Sequence, residues 1–77
     1  MFIEFSLGEG VGSLPASQKL KLIKEKIKNW SAQYDIPYTQ KTIKYTHRLA
    51  FDKDQYYTIF ATTWTSKMEY RLIDRTW

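Results

Sequence analysis

The sequence predicts an α+β fold, a two-layer sandwich in which one amphipathic helix packs on a mainly antiparallel four-stranded sheet. The predicted element order is β-α-β-β-β. Three observations lead to this class. The chain has 77 residues, which is the size of one domain spanning residues 1–77. One long stretch carries apolar side chains at helical spacing. The remainder is rich in β-branched and aromatic residues, which favour strands.

The first two predicted elements are a strand over Met1–Leu7 and a helix over Ala16–Tyr34. Alternation along the strand places three apolar side chains on one face: Ile3, Phe5 and Leu7. Spacings of three and four residues along the helix give one apolar stripe: Leu20, Ile23, Ile27, Trp30 and Tyr34. Lysines flank this stripe on both sides. Pro37 ends the helix, because a proline disfavours helical geometry at the residue before it.

Three glycines between positions 8 and 12 connect this strand to the helix. A glycine-rich turn between a strand and a helix is also the place where backbone amides hold a phosphate. The spacing here matches neither of the nucleotide-binding glycine motifs. We therefore expect a flexible connection and no cofactor.

The rest of the chain predicts three strands that form an antiparallel meander. They cover Thr42–Phe51, Tyr56–Thr65 and a last stretch from Met68 to about Arg75, with polar or tight connections between them. The first of these alternates cleanly between apolar and polar residues. Tyr56–Thr65 does not, since large apolar side chains occupy both parities. Both faces of that strand are expected to need cover.

The sheet face away from the helix is the predicted binding surface. It collects aromatic and basic side chains, and we predict six partner-binding residues: Lys44, Arg48, Tyr56, Phe60, Trp64 and Arg71. The chain has 13 aromatic residues, more than one helix can cover, so a partner is expected to complete the hydrophobic interior. The purely structural alternative is that the glycine loop or Trp77 folds back and hides these rings.

Catalytic and metal-binding chemistry has little support in the sequence. There is no cysteine, and the single histidine, His47, lies on the apolar parity of its strand, where a hydrogen-bonded core residue is the usual finding. Asp52 and Asp54 are typical of a turn and lack the further ligands of a calcium site. The prediction is a non-enzymatic protein without metal or cofactor.

Two functions remain open for the predicted surface. The first is a protein-binding module that forms a homodimer or docks on another protein, because aromatic and arginine residues are favoured at interfaces. The alternative is a module that binds single-stranded nucleic acid, with bases stacked on rings and cations along the backbone. The net charge of +4 permits the alternative, but it is also an ordinary charge for solubility, and lysine outnumbers arginine nine to three.

The expected location is the cytoplasm. The first residues have neither the basic start nor the cleavage pattern of a signal peptide. No stretch approaches the roughly 18 apolar residues of a membrane span, so no membrane partner is predicted.

Overall fold

A computed structural model describes residues 1–7, 16–65 and 68–77. In chain order the elements are β1 (Phe2–Ser6), α1 (Ala16–Tyr34), β2 (Thr39–Ile43), β3 (Thr46–Ala50), α2 (Asp54–Thr63) and β4 (Arg71–Ile73). The four strands form one antiparallel sheet in the order β2-β3-β1-β4. The predicted α+β class and the four-stranded antiparallel sheet are therefore confirmed. The predicted glycine loop and the connection at 66–67 lie outside the described residues.

Both helices pack on the same face of the sheet and enclose the core. The strands contribute apolar side chains of one parity, and the two helices add theirs above them. The side chains at the centre of this core are Ile3, Phe5, Leu49, Ile23, Ile27, Trp30, Tyr57 and Phe60. We call the opposite side of the sheet, which neither helix covers, the outer face.

Helix α1 has the predicted bounds, and the middle of the predicted stripe is buried, whereas Leu20 is partly buried and Tyr34 is 37% exposed. Ile23 and Ile27 are fully buried and Trp30 is nearly so. The helix ends at Tyr34, and the next residue, Asp35, has a φ of 54° in the left-handed region. The Ile36 amide donates to the Ser31 carbonyl oxygen at 3.1 Å. This is the geometry of a Schellman-type end, in which a left-handed residue lets the chain turn back and satisfy a free carbonyl.

The predicted strand over Thr42–Phe51 is wrong, because a hairpin turn divides it. Ile43 pairs with Thr46, so Lys44 and Tyr45 form a two-residue connection between β2 and β3. Lys44 has a φ of 51°, a conformation that such turns usually give to glycine or asparagine. Neither residue is present here, which is why the pattern did not indicate a turn.

The predicted strand over Tyr56–Thr65 is also wrong, because most of this segment forms α2. Its large side chains recur at helical spacing, and Tyr57 and Phe60 reach the core from one side of the helix. The Tyr57 hydroxyl accepts the Phe51 amide at 2.9 Å and donates to the Met1 carbonyl oxygen at 2.7 Å. Tertiary packing therefore overrides the strand propensity of this segment.

The predicted meander of the last three strands does not form. Strand β1 lies between β3 and β4 and pairs antiparallel with both, with Glu4 opposite Arg48 on one side and Arg71 on the other. The last strand is also shorter than predicted and covers only Arg71–Ile73. A second helix thus forms where one strand was predicted. The sheet still has four strands, because the hairpin turn divides another predicted strand into β2 and β3.

Neither of the two helices in the described ranges is long and apolar enough to cross a membrane.

Candidate functional site

The net positive charge of the protein lies on α1. This helix contains five lysines and one acidic residue, Glu25, and so carries a charge of +4. The rest of the chain has seven basic and seven acidic residues, and its formal charge is zero. The whole net charge of +4 therefore belongs to one helix. No sequence prediction singled out this helix as a site, although the flanking lysines were visible in the pattern.

The lysines project away from the core along both flanks of α1. Lys21, Lys24 and Lys28 recur at helical spacing on one flank, in a row about 10 Å long. Lys19 and Lys26 occupy the other flank. Four of the five are exposed, and none forms an ion pair within the described residues. We call the surface of the helix that faces away from the core, including both of these flanks and defined by Lys19, Lys21, Lys24, Lys26 and Lys28, the lysine face.

A cleft lies beside one flank of the lysine face, between α1 and the end of α2. Its volume is about 270 Å³. Lys26, Asn29 and Gln33 form its α1 wall, and Thr63 and Trp64 form part of the other wall. We call it the α1–α2 cleft.

His47 lies buried beneath the other flank, at the join between β3 and β2. Its Nε2 is 2.9 Å from the Gln40 Oε1, and its Nδ1 is 2.9 Å from the Thr42 Oγ1. An amide oxygen only accepts, so Nε2 carries the proton and Nδ1 accepts from the threonine hydroxyl. Burial, together with the positive charge of Lys24, lowers the pKa of His47 to about 4. At neutral pH this imidazole is a hydrogen-bonded core residue and a weak base.

Arg48 and Arg71, two of the predicted partner-binding residues, lie on the outer face on either side of Glu4. Its Oε1 lies 3.0 Å from the Arg71 Nη2, and its Oε2 lies 3.5 Å from the Arg48 Nε. The Arg48 guanidinium also covers the ring of Phe2, 4.7 Å from its centroid. The Arg71 side chain is 75% exposed and that of Arg48 only 17%, so Arg71 is the more accessible cation.

The last residue of the chain, Trp77, lies over the outer face of the sheet. Trp77 packs against Phe2, with 6.4 Å between the ring centroids, and Phe2, which Arg48 also covers, is fully buried. The Lys41 Nζ donates to the Trp77 main-chain oxygen at 2.9 Å and lies 4.7 Å from the centre of its ring. The structural alternative, in which Trp77 folds back over an aromatic ring, is confirmed for Phe2.

The other predicted partner-binding residues do not lie on the outer face. Lys44 is in the hairpin turn. Tyr56 and Phe60 belong to α2, and Phe60 is fully buried in the core. Trp64 follows α2 and lines the α1–α2 cleft. The three aromatic residues lie away from the outer face because their segment folds as α2, which packs on the opposite side of the sheet.

A second cleft, of about 470 Å³, opens on the outer face beside Glu4, Glu69 and Arg71. Its two carboxylates repel an anionic ligand, whereas the lysine face attracts one. Among residues 1–7, 16–65 and 68–77, no group of three or more histidine, aspartate or glutamate side chains is arranged to hold a metal ion.

Comparison with known proteins identifies no relative. No protein-family model matches the chain, and no curated protein and no solved structure is similar enough to count as a match.

Proposed function

We propose that this protein is a non-enzymatic nucleic-acid-binding module that contacts the phosphate backbone through the lysine face of α1. The observation that carries the proposal is the confinement of the entire net charge to one helix. A charge that serves solubility alone is usually mixed with the opposite sign over the surface. Here five lysines and one acidic residue lie on this helix, while the charges of the rest of the chain sum to zero.

The spacing of the lysines supports a polymer of phosphates as the ligand. A row of three cations over about 10 Å meets successive charges of a nucleic-acid backbone. Lysine binds phosphate as a point charge, whereas arginine is the better reader of base edges. A face built from lysine without arginine therefore favours binding to the backbone with little dependence on sequence.

A membrane surface is a poorer match for the same face. Helices that bind membranes insert an apolar side between the lipids. The apolar stripe of α1 is buried against the sheet, and among its large apolar side chains only Leu22 and Tyr34 are exposed, each to 37%. The helix thus offers the charge that attracts an anionic membrane without the apolar surface that anchors to it.

The lysine face predicts a specific change in the salt dependence of binding. We expect the double variant Lys21→Gln/Lys28→Gln to bind a labelled oligonucleotide about 100-fold more weakly than the unaltered protein at about 50 mM salt. The slope of log K against log salt should fall by about 0.7 to 0.9 for each lysine removed. Fluorescence anisotropy over a range of salt concentrations measures both quantities.

The matched control for this experiment is Lys44→Gln/Lys53→Gln. It removes the same charge from the hairpin turn and from the residue before α2, both distant from the lysine face in the chain. We expect it to change affinity by less than about threefold, in keeping with a loss of general attraction only. Equal losses in the two double variants, or no binding by the unaltered protein, would contradict the proposal.

A protein partner on the outer face is the second candidate function. The sequence argument for it, a single helix too small to cover the aromatic rings, is overturned because a second helix, α2, packs on the same face of the sheet. The observation that still favours it is the exposed guanidinium of Arg71, on a sheet face that neither α1 nor α2 covers. Arginine and tryptophan are favoured at protein interfaces, and Trp77 lies on the same face, 36% exposed.

Self-association through the outer face has its own test. If a second copy docks there, sedimentation velocity should detect a dimer at high protein concentration. Arg71→Ala should then shift the dimer to monomer, while Lys53→Ala, which removes the same charge elsewhere, should not. A monomer at every concentration would exclude the homodimer.

A further inference from the structure

Three features of the α1–α2 cleft suit a small polar and aromatic group attached to a phosphate. Lys26 supplies a cation at its rim, because this lysine belongs to the lysine face as well. Asn29 and Gln33 are exposed and form no hydrogen bond within the described residues, so their amides are free to bind a ligand. The cleft, at about 270 Å³, lies just below the range of sites for drug-sized ligands.

Trp64 provides an aromatic wall that is already held in place. Its indole stacks on Phe60, with ring centroids 4.7 Å apart and an interplanar angle of 21°. Its Nε1 donates to the Met68 carbonyl oxygen at 3.4 Å. The indole is partly exposed and lines the cleft. A side chain fixed in this way binds a flat ring with little loss of its own freedom.

The polar groups of Trp30 and Thr63 are already satisfied at the base of the cleft. The Trp30 Nε1 donates to the Thr63 Oγ1 at 2.8 Å, and the threonine hydroxyl donates in turn to the Ile59 carbonyl oxygen. Recognition in the cleft therefore falls to the amides of Asn29 and Gln33. Such amides form paired hydrogen bonds with the edges of nucleobases.

We propose that the α1–α2 cleft binds one unpaired nucleobase, while Lys26 holds the phosphate attached to it. The inference rests on the proposed function, since the lysine face must first bring the backbone to this flank of α1. It adds a preference that the backbone contacts alone do not provide. The protein should favour nucleic acid that presents unstacked bases over an uninterrupted duplex, in which every base is enclosed.

The test compares three labelled probes of equal length: a single strand, the same strand with abasic sites throughout, and a blunt duplex. The single strand and the abasic strand carry the same phosphates, so they differ only in what can enter the cleft. A base stacked on an aromatic side chain strengthens binding by about 5- to 150-fold. We expect the ordinary single strand to bind tighter than the abasic strand by a factor in this range.

Variants of the cleft separate base binding from backbone binding. Asn29→Ala/Gln33→Ala changes exposed side chains outside the core, so it should fold normally and reduce the preference for the ordinary strand several-fold. Trp64→Leu should abolish most of it while retaining an apolar contact with Phe60. Neither should alter the salt slope. Gln18→Ala, an exposed amide elsewhere on α1, is the matched control and should change nothing.

The outcomes distinguish this inference from the function on which it rests. Equal affinity for the ordinary and the abasic strand, with a salt slope that depends on Lys21 and Lys28, would overturn the cleft as a base site and leave the lysine face intact. A ratio of single-strand to duplex affinity that is the same in the unaltered protein and in Trp64→Leu would also overturn it, since the lysine face alone then sets that ratio. Absence of binding to all three probes would overturn both proposals.

Discussion

Phe60→Ala is expected to lower the free energy of unfolding by about 3 to 5 kcal/mol. Phe60 is fully buried, and its ring contacts those of Trp30, Trp64 and Tyr70 at centroid distances of 4.7 to 5.0 Å. Removal of the ring leaves a cavity that its aromatic neighbours cannot fill without moving. A domain of this size has a total stability of about 4 to 12 kcal/mol, so much of the folded population should be lost at elevated temperature.

Chemical denaturation of Phe60→Ala, monitored by circular dichroism, gives this value directly. The control is Thr58→Ala on the exposed side of the same helix, which should stay within about 0.5 kcal/mol of the unaltered protein. If Phe60 instead lay on a free sheet face, as the alternation pattern predicted, its replacement would cost little. A stability near that of the unaltered protein would therefore refute the packing of α2.

His47 is expected to make the protein less stable as the pH falls from about 6.5 to about 4. The pKa of His47 is about 4 in the folded protein, against 6.5 for an ordinary histidine. Between these values the unfolded chain binds a proton that the folded chain does not, so protonation favours unfolding. Below pH 4 the free energy of unfolding should be lower by about 3 kcal/mol, and above about pH 7 the titration of His47 should not affect it.

The free energy of unfolding is measured at several pH values for the unaltered protein and for His47→Gln. The comparison separates the effect of His47 titration from that of the carboxylates. The carboxylates titrate in both proteins, so the difference between the two curves belongs to His47. The chain contains one histidine, and its imidazole protons give an NMR titration that needs no assignment. A midpoint near 6.5 would mean that the ring is solvated and that Gln40 and Thr42 do not enclose it.

The elements with a single unambiguous period could be predicted from the sequence. The stripe of α1 repeats at three and four residues over its whole length, and β1 alternates from Ile3 to Leu7, so the burial of both was predictable. The inward parity of His47 was also predicted correctly, because β3 keeps its alternation. In these segments local pattern and tertiary packing favour the same structure.

The segments that escaped prediction are those where local pattern and packing disagree. Tyr56–Thr65 is rich in strand-forming residues, yet Tyr57 and Phe60 are three residues apart and reach the core together only from a helix. The lack of alternation in this stretch was the available sign. The turn at Lys44 has no glycine or asparagine, and the cost of its positive φ is overcome by the pairing of β2 with β3.

The candidate site was only partly predictable for the same reason. Arg48 and Arg71 share a face, as predicted, because β3 and β4 both pair with β1 at Glu4. The aromatic residues assigned to that face depended on a strand that is a helix. The lysine face needed no tertiary information, since a count of charges along α1 identifies it.

The separation of charge between α1 and the rest of the chain gives the molecule a permanent dipole moment. The positive end is α1, with a charge of +4, and the charges of all the remaining residues sum to zero. Near a polyanion the electric field orients the protein before contact, so that α1 faces the nucleic acid. Productive collisions should then be more frequent than random tumbling allows, and the encounter rate should slow as added ions shorten the reach of the field.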